Sequence, residues 1–251
     1  MENIIETKQQ KPVVKILLIV AAWLATLGIC FSDAINSLLT LASGDFYGLE
    51  STIALMLRSG FQKTIFNIAV ILFAVFITVY CLKGKGKGLL AAFYGVLTVN
   101  FAVALILSLI TLFTVFLQVQ MAQLSFEDII RILLDYAFSM GMCLISLVLS
   151  LISMISVITG RGWHIFSIIT SGFRIFDGML SMATSLLGLI SLIGLDSSMG
   201  VAISINSYVS ALVSSGACIF FFAVVLVFSI LDKRSVAKKP LEVPSEEVSA
   251  E

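Results

Sequence analysis

The stretch AFSMGMCLISLVLSLISMISVI, residues 137–158, decides the fold of this chain. It holds 22 residues without a charged side chain, enough for a helix to cross the hydrocarbon core of a bilayer, which is about 30 Å thick. Small residues recur along it in alternating steps of four and three, as in a heptad repeat. The series comprises Ser139, Cys143, Ser146, Ser150 and Ser153. A seam of small residues lets a neighbouring helix approach closely in lipid, so the stretch predicts a membrane helix that packs through its small face.

The composition of the whole chain agrees with a membrane location. Of its 251 residues, 59% are hydrophobic and 12% are charged, with a mean hydropathy of +1.11. Soluble domains carry about 25% charged residues. The formal net charge is zero, which argues against a nucleic-acid partner. The sequence therefore predicts an all-α, polytopic integral membrane protein whose first partner is the lipid bilayer.

Six stretches are apolar and long enough to cross the membrane. They are residues 13–32, 63–82, 89–117, 137–159, 165–195 and 201–231. Residues 1–12 form a polar tail before the first span, and residues 232–251 are predicted to be a disordered tail after the last. A cleaved signal peptide at 13–32 is disfavoured because its apolar run is too long for a usual h-region. The three prolines lie outside the spans, so we expect no helix to contain a proline kink.

Three stretches admit more than one interpretation. Residues 33–61 either extend the adjacent helices or lie in the membrane interface. Residues 160–177 form either an interfacial segment or the start of one long fifth helix, and the unbroken register of small residues through Arg174 favours the long helix. The run FFFAVVLVF at 220–228 is large and β-branched, which predicts a lipid-facing surface.

The distribution of basic residues predicts the orientation. An even number of spans places both termini on one side. If that side is cytoplasmic, 12 of the 15 lysines and arginines are inside, including the three lysines of the loop KGKGKG at 83–88; Arg58, Lys63 and Arg131 remain outside. Basic residues are enriched in cytoplasmic loops, so we predict an N-in, C-in topology in the cytoplasmic (plasma) membrane.

Small residues form seams in several of the predicted spans, and three of these spans carry the candidate helix-packing seams. The members of these seams are Ser146, Ser150, Ser153, Ser181, Ser185, Gly188, Ser207, Ala211 and Ser214. The favoured interpretation is that the seams pack the six helices into one bundle. The alternative is that one seam faces outward and meets a second copy of the chain or a partner subunit.

Catalytic and metal-binding patterns are not visible in the sequence. With a single histidine, the chain lacks the H-E-x-x-H zinc motif and offers one imidazole as a general base. Asp135 and Asp177 fall near opposite faces of the membrane, which does not suit an aspartyl dyad. The four cysteines have no metal-binding spacing. We therefore predict no enzyme activity and no cofactor.

Three polar residues at membrane depth are candidates for a polar path or a gate, because such residues are costly there. Asn100 either lines a solute path or hydrogen-bonds a neighbouring helix, and the second interpretation is favoured. Arg174 with Asp177 either forms an ion pair buried in the bundle, or Arg174 snorkels to the inner headgroups with Asp177 as its counter-ion. The expected depth, in the inner third, favours snorkelling. Trp163 and Tyr80 are interpreted as interface anchors.

These observations lead to two functional hypotheses. The first is a permease-like transport subunit, motivated by six spans with polar side chains inside. The second is a non-catalytic scaffold, assembly or accessory subunit of a membrane complex, which fits the short loops and the small-residue seams.

Overall fold

The computed structural model of the chain describes residues 2–42, 49–122, 126–192 and 199–237, which form six α-helices. Their bounds are α1 Glu2–Ala42, α2 Leu49–Lys83, α3 Lys87–Ala122, α4 Phe126–Thr159, α5 Trp163–Ser191 and α6 Met199–Ala237. Each helix contains a stretch of 21–29 residues that is long and apolar enough to cross a membrane. No strand occurs in the described ranges. The prediction of six membrane-length helices is confirmed.

The six helices form a closed ring. Each helix packs against its neighbours in the chain, and α1 also packs against α6. Ser32 of α1 and Ser214 of α6 share a hydrogen bond of 2.9 Å at this closure. A ring of six helices leaves room for a central space that single pairs of helices would not enclose.

Two tight connections lie at the same end of the ring. Residues 84–86 join α2 to α3, and residues 160–162 join α4 to α5. Gly160 and Gly162 have φ angles of 72° and 64°, a left-handed conformation that side chains with a Cβ rarely adopt. These two glycines let α5 follow α4 with only three residues between them. We call the end that carries both connections the loop end.

Several sequence expectations about helix bounds need correction. Helix α1 starts at Glu2 and contains Pro12, because the polar segment before the proline is itself helical; the absence of a proline kink stays a prediction. Helix α6 runs on to Ala237, so residues 232–237 are helical rather than a disordered tail; residues 238–251 lie outside the described residues. Of the two interpretations of residues 33–61, the structure has the extension of the adjacent helices, since α1 reaches Ala42 and α2 begins at Leu49.

The fifth helix is continuous from Trp163 to Ser191. Of the two interpretations of residues 160–177, the structure therefore has the long helix rather than a separate interfacial segment. Arg174 and Asp177 lie within this helix, one turn apart, and not at its start.

An aromatic cluster fills the ring near the loop end. Its members are Phe73, Phe76, Phe93, Phe221 and Phe228, each at most 3% exposed. The Phe73 ring is the hub, with centroid distances of 5.1 Å to Phe93 and 5.4 Å to Phe221. Aromatic pairs at such distances contribute about 0.5–1.5 kcal/mol beyond the area they bury. The cluster joins α2, α3 and α6 and closes the ring at this end.

The aromatic cluster overturns one prediction. The run at 220–228 was expected to face lipid, but Phe221, Phe222, Val225 and Phe228 are all at most 3% exposed. Phe220 is 48% exposed and does face outward. Large apolar side chains suit lipid and the bundle interior equally well, because lipid tails are as apolar as the side chains.

Hydroxyl pairs connect the helices in the half of the ring that holds the aromatic cluster. Ser167 of α5 shares hydrogen bonds with Tyr94 of α3 at 2.5 Å and with Ser229 of α6 at 2.6 Å. Ser153 of α4 pairs with Thr170 of α5 at 2.9 Å. Interhelical hydrogen bonds of this kind contribute about 0.6–2 kcal/mol each in a membrane. They hold α3 to α6 in register around the central space.

Candidate functional site: a central polar cavity

A cavity of about 1040 Å³ lies inside the ring, in the half away from the loop end, and is partly open. All six helices contribute side chains to its wall. Pockets that bind small molecules have volumes of about 300–1,000 Å³. The cavity is therefore large enough for a small organic solute with part of its water shell.

Hydroxyl groups make up much of the polar wall of the cavity. The hydroxyl-bearing lining residues include Ser32, Ser108, Ser139, Ser181, Thr184 and Ser214. Ser108 donates to the carbonyl of Ala104 at 2.9 Å, and Thr184 donates to that of Ser181 at 2.9 Å. A hydroxyl whose proton is used in this way keeps lone pairs for a donor. Ser108 and Thr184 can therefore accept a hydrogen bond from a solute in the cavity.

Arg174 and Asp177 lie at the closed end of the cavity, nearest the aromatic cluster. The Nη1 of Arg174 is 2.5 Å from Oδ2 of Asp177 and 3.5 Å from the hydroxyl of Ser146. The side chains are 17% and 28% exposed. The guanidinium carbon lies over the rings of Phe101 and Phe222, at 4.8 Å and 5.5 Å from their centroids. Two aromatic rings and one carboxylate thus hold the charge inside the bundle.

The expectation that Arg174 snorkels to the headgroups is wrong. Helix α5 begins at Trp163, so Arg174 lies about 16 Å along the helix axis from its start, near the middle of a bilayer of about 30 Å. Its side chain turns to the cavity and contacts Ser146 and Phe101. Of the two interpretations, the structure has the ion pair within the bundle, with both side chains partly exposed to the cavity.

Asn100 joins the same closed end from α3. It is 4% exposed, lines the cavity, and its Oδ1 has no hydrogen-bond partner among the described residues. The favoured sequence interpretation was a hydrogen bond to a neighbouring helix, and the structure places no such partner at Oδ1. A buried polar atom without a partner costs about 1–3 kcal/mol. The structure thus brings Asn100, Arg174 and Asp177 together in one cavity wall.

The small-residue seams lie partly in helix contacts and partly in the cavity. Ser146, Ser150 and Ser153 are all fully buried, and Ser150 accepts a hydrogen bond from Thr98 of α3 at 3.1 Å. Ser181 and Ser214 line the cavity.

The other seam residues differ in their surroundings. Ser185 is buried, Ala211 is half-buried and Ser207 is exposed. A Cβ at Gly188 would lie 2.3 Å from the Tyr208 ring, so α5 and α6 approach closely there. Packing of the whole bundle through small residues stays a prediction.

A second polar cluster closes the ring at the loop end. The Tyr80 hydroxyl donates to Oδ1 of Asp232, and His164 Nε2 is 3.6 Å from Oδ2 of the same carboxylate. Trp163 is 9% exposed and stacks on Phe228 with a centroid distance of 6.2 Å. Tyr80 and Trp163 are therefore packed within the bundle, in contrast to the expectation that they anchor the chain at the lipid interface.

Sequence reasoning missed three contributors to these sites. Phe101 and Phe222 hold the guanidinium of Arg174, but nothing in an apolar run distinguishes a ring that contacts a charge from one that contacts lipid. Asp232 was assigned to the tail. Its place immediately after the last apolar stretch was the one available signal, since an acidic residue there is within reach of the helix ends beside it.

Comparison of the chain with protein-family models, with curated protein sequences and with solved structures gives no match. The class of the protein therefore follows from its own helices. Six helices of membrane-crossing length and apolarity make the chain a multi-pass α-helical membrane protein.

Proposed function

We propose that this chain is a permease-like membrane protein whose central cavity admits a small polar solute. The observation that carries the proposal is the cavity itself: all six helices contribute to it, and its wall contains an ion pair and an amide near the middle of the predicted membrane. Ionisable groups at that depth are costly and mark pathways for solutes or ions. A scaffold or accessory subunit gains nothing from such a cavity.

The two ends of the ring support the same proposal. The cavity occupies one half, and the aromatic cluster fills the other. A transporter that alternates its access has one side open and the other closed in each state. With the predicted N-in, C-in topology, this arrangement corresponds to an outward-facing state.

Flux into proteoliposomes tests the transport proposal. The purified protein is reconstituted, and uptake of radiolabelled amino acids, sugars and organic acids is measured. Ala104→Trp places an indole in the cavity, whereas Leu109→Trp, on the same helix and 48% exposed, is the matched control. We expect uptake of at least one solute class, lost in Ala104→Trp and kept in Leu109→Trp. Absence of uptake for every class, or equal uptake by both variants, contradicts the proposal.

The orientation has its own test. In a variant without the four native cysteines, Lys85→Cys reports from the loop end and Ser191→Cys from the opposite end; both positions are exposed. A membrane-impermeant thiol reagent applied to intact cells should label residue 191 and leave residue 85 unlabelled until lysis. The reverse pattern would place the cavity on the cytoplasmic side.

A further inference from the structure

The closed end of the cavity contains two buried polar atoms of opposite hydrogen-bonding type. Oδ1 of Asn100 is an acceptor and Nε of Arg174 is a donor, and neither has a partner among the described residues. Because buried polar groups in folded proteins are almost always hydrogen-bonded, a ligand that carries both a donor and an acceptor would complement this wall. A ligand with one type alone would leave the other atom unsatisfied.

The guanidinium of Arg174 lies in the cavity wall, where it contacts Asp177 and two aromatic rings. The rings of Phe101 and Phe222 lie against it at 4.8 Å and 5.5 Å. The hydrogen bonds that it makes to described residues both come from Nη1, which leaves the N–H groups on Nε and Nη2. Two parallel N–H groups on one edge match the two oxygens of a carboxylate.

The charge balance decides between an anion and a zwitterion. Arg174 and Asp177 form a pair with no net charge near the middle of the predicted membrane. A bound anion or cation would leave one uncompensated charge there, which is costly in a medium of low dielectric constant. A zwitterion adds none: its carboxylate faces Arg174, while its ammonium group faces Asp177 and Oδ1 of Asn100.

We propose that the closed end of the cavity binds a zwitterionic solute of the amino-acid class. Arg174 binds the carboxylate, and Asn100 and Asp177 bind the ammonium group. Phe66 and Met142, which also line the cavity, provide apolar surface for a side chain. The inference rests on the proposed function, since it names the class of solute that the cavity admits.

Three probes with the same phenyl body test the proposal. L-phenylalanine carries both charges, 3-phenylpropionate lacks the ammonium group, and L-phenylalaninamide lacks the carboxylate. Binding to the full-length protein in lipid nanodiscs is measured by calorimetry at neutral pH. We expect phenylalanine to bind at least about tenfold more tightly than either of the other two, since each loses a charge-assisted hydrogen bond.

Two variants assign the roles, and a third serves as control. Asp177→Asn leaves the charge of Arg174 uncompensated, so we expect the preference to reverse and 3-phenylpropionate to bind more tightly than phenylalanine. Asn100→Leu should weaken phenylalanine binding and leave 3-phenylpropionate binding unchanged. Thr184→Val, which also changes the cavity wall, should keep the order of the wild type. A general loss of structure would weaken the binding of all three probes together and would not reverse the order of their affinities.

Equal affinities for the three probes, or an unchanged order in Asp177→Asn, would overturn the proposed ligand class. If none of the probes binds while the proteoliposomes take up a different solute, the ligand class fails and the proposed function stands. If no probe binds and no solute is taken up, both fail. Binding of phenylalanine without any uptake supports the site and contradicts the transport function.

Discussion

Replacement of Arg174 by methionine tests whether the ion pair in the cavity wall is a buried one. Removing one partner of a buried pair costs about 3–5 kcal/mol, because the other charge is left without compensation. Asp177 is 28% exposed at the cavity, so we take the lower limit, about 3 kcal/mol. Loss of the contacts with Phe101 and Phe222 adds about 1 kcal/mol. Arg174→Met should therefore lower the free energy of unfolding by about 4 kcal/mol.

The double variant Arg174→Met/Asp177→Asn separates the charge from the packing. It removes the uncompensated carboxylate, so it should be at least about 2 kcal/mol more stable than Arg174→Met alone. Equilibrium unfolding with dodecyl sulfate in mixed micelles provides the free energies. Arg161→Met, at an exposed position near the loop end, is the control and should change stability by less than about 0.5 kcal/mol. A double variant no more stable than the single one would refute the buried pair.

Further predictions use matched pairs of sites and the same unfolding measurement. Gly178→Ala should destabilise the protein by about 1–3 kcal/mol, because its Cβ would lie 2.7 Å from an isoleucine of α6. Gly172→Ala, with open space around it, should be neutral or stabilising by up to about 1 kcal/mol. Equal effects at both sites would contradict the close approach of α5 and α6. Phe228→Ala should lower the free energy of unfolding by about 3 kcal/mol or more. Phe220→Ala, at a side chain that is 48% exposed, should lower it much less. Similar losses of stability would mean that the aromatic cluster does not hold the ring of helices closed. Tyr94→Phe removes a hydroxyl whose partner on α5 keeps a second hydrogen bond to α6, so a loss of about 1 kcal/mol is expected, and a loss several times larger would show that the bond is essential to the network.

The helical class was predictable because the chain carries its apolar residues in long uninterrupted runs. The stretch at 137–158 is too long for a buried strand and has the length that a bilayer requires. The orientation of the large residues within such a run was not predictable. Phe220 and Phe221 are neighbours of the same chemistry, yet one is 48% exposed and the other fully buried. The periodicity of hydrophobic residues distinguishes two faces of a helix only when one face is polar. In a membrane helix both the lipid-facing and the buried face are apolar.

Three polar residues that line the cavity could be singled out from the sequence, but their geometry could not. Asn100, Arg174 and Asp177 were identified because polar groups at depth are costly. The depth of Arg174 depends on where α5 begins, and that depends on the left-handed glycines at 160 and 162. The sequence also allowed a shorter fifth helix after an interfacial segment, which would have placed the arginine within reach of the headgroups. The partners of its guanidinium come from α3, α4 and α6, and pairings between distant helices leave no local pattern in one sequence.

The contact between α1 and α6 has a consequence for the order of assembly during synthesis. Ser32 and Ser214, which meet there, are separated by 182 positions in the chain. Membrane helices enter the bilayer one after another and then associate. The surface of α1 that contacts α6 must therefore remain exposed to lipid until α6 has been translated and inserted. Shortening the chain before α6 should leave an open crescent with no enclosed solute chamber.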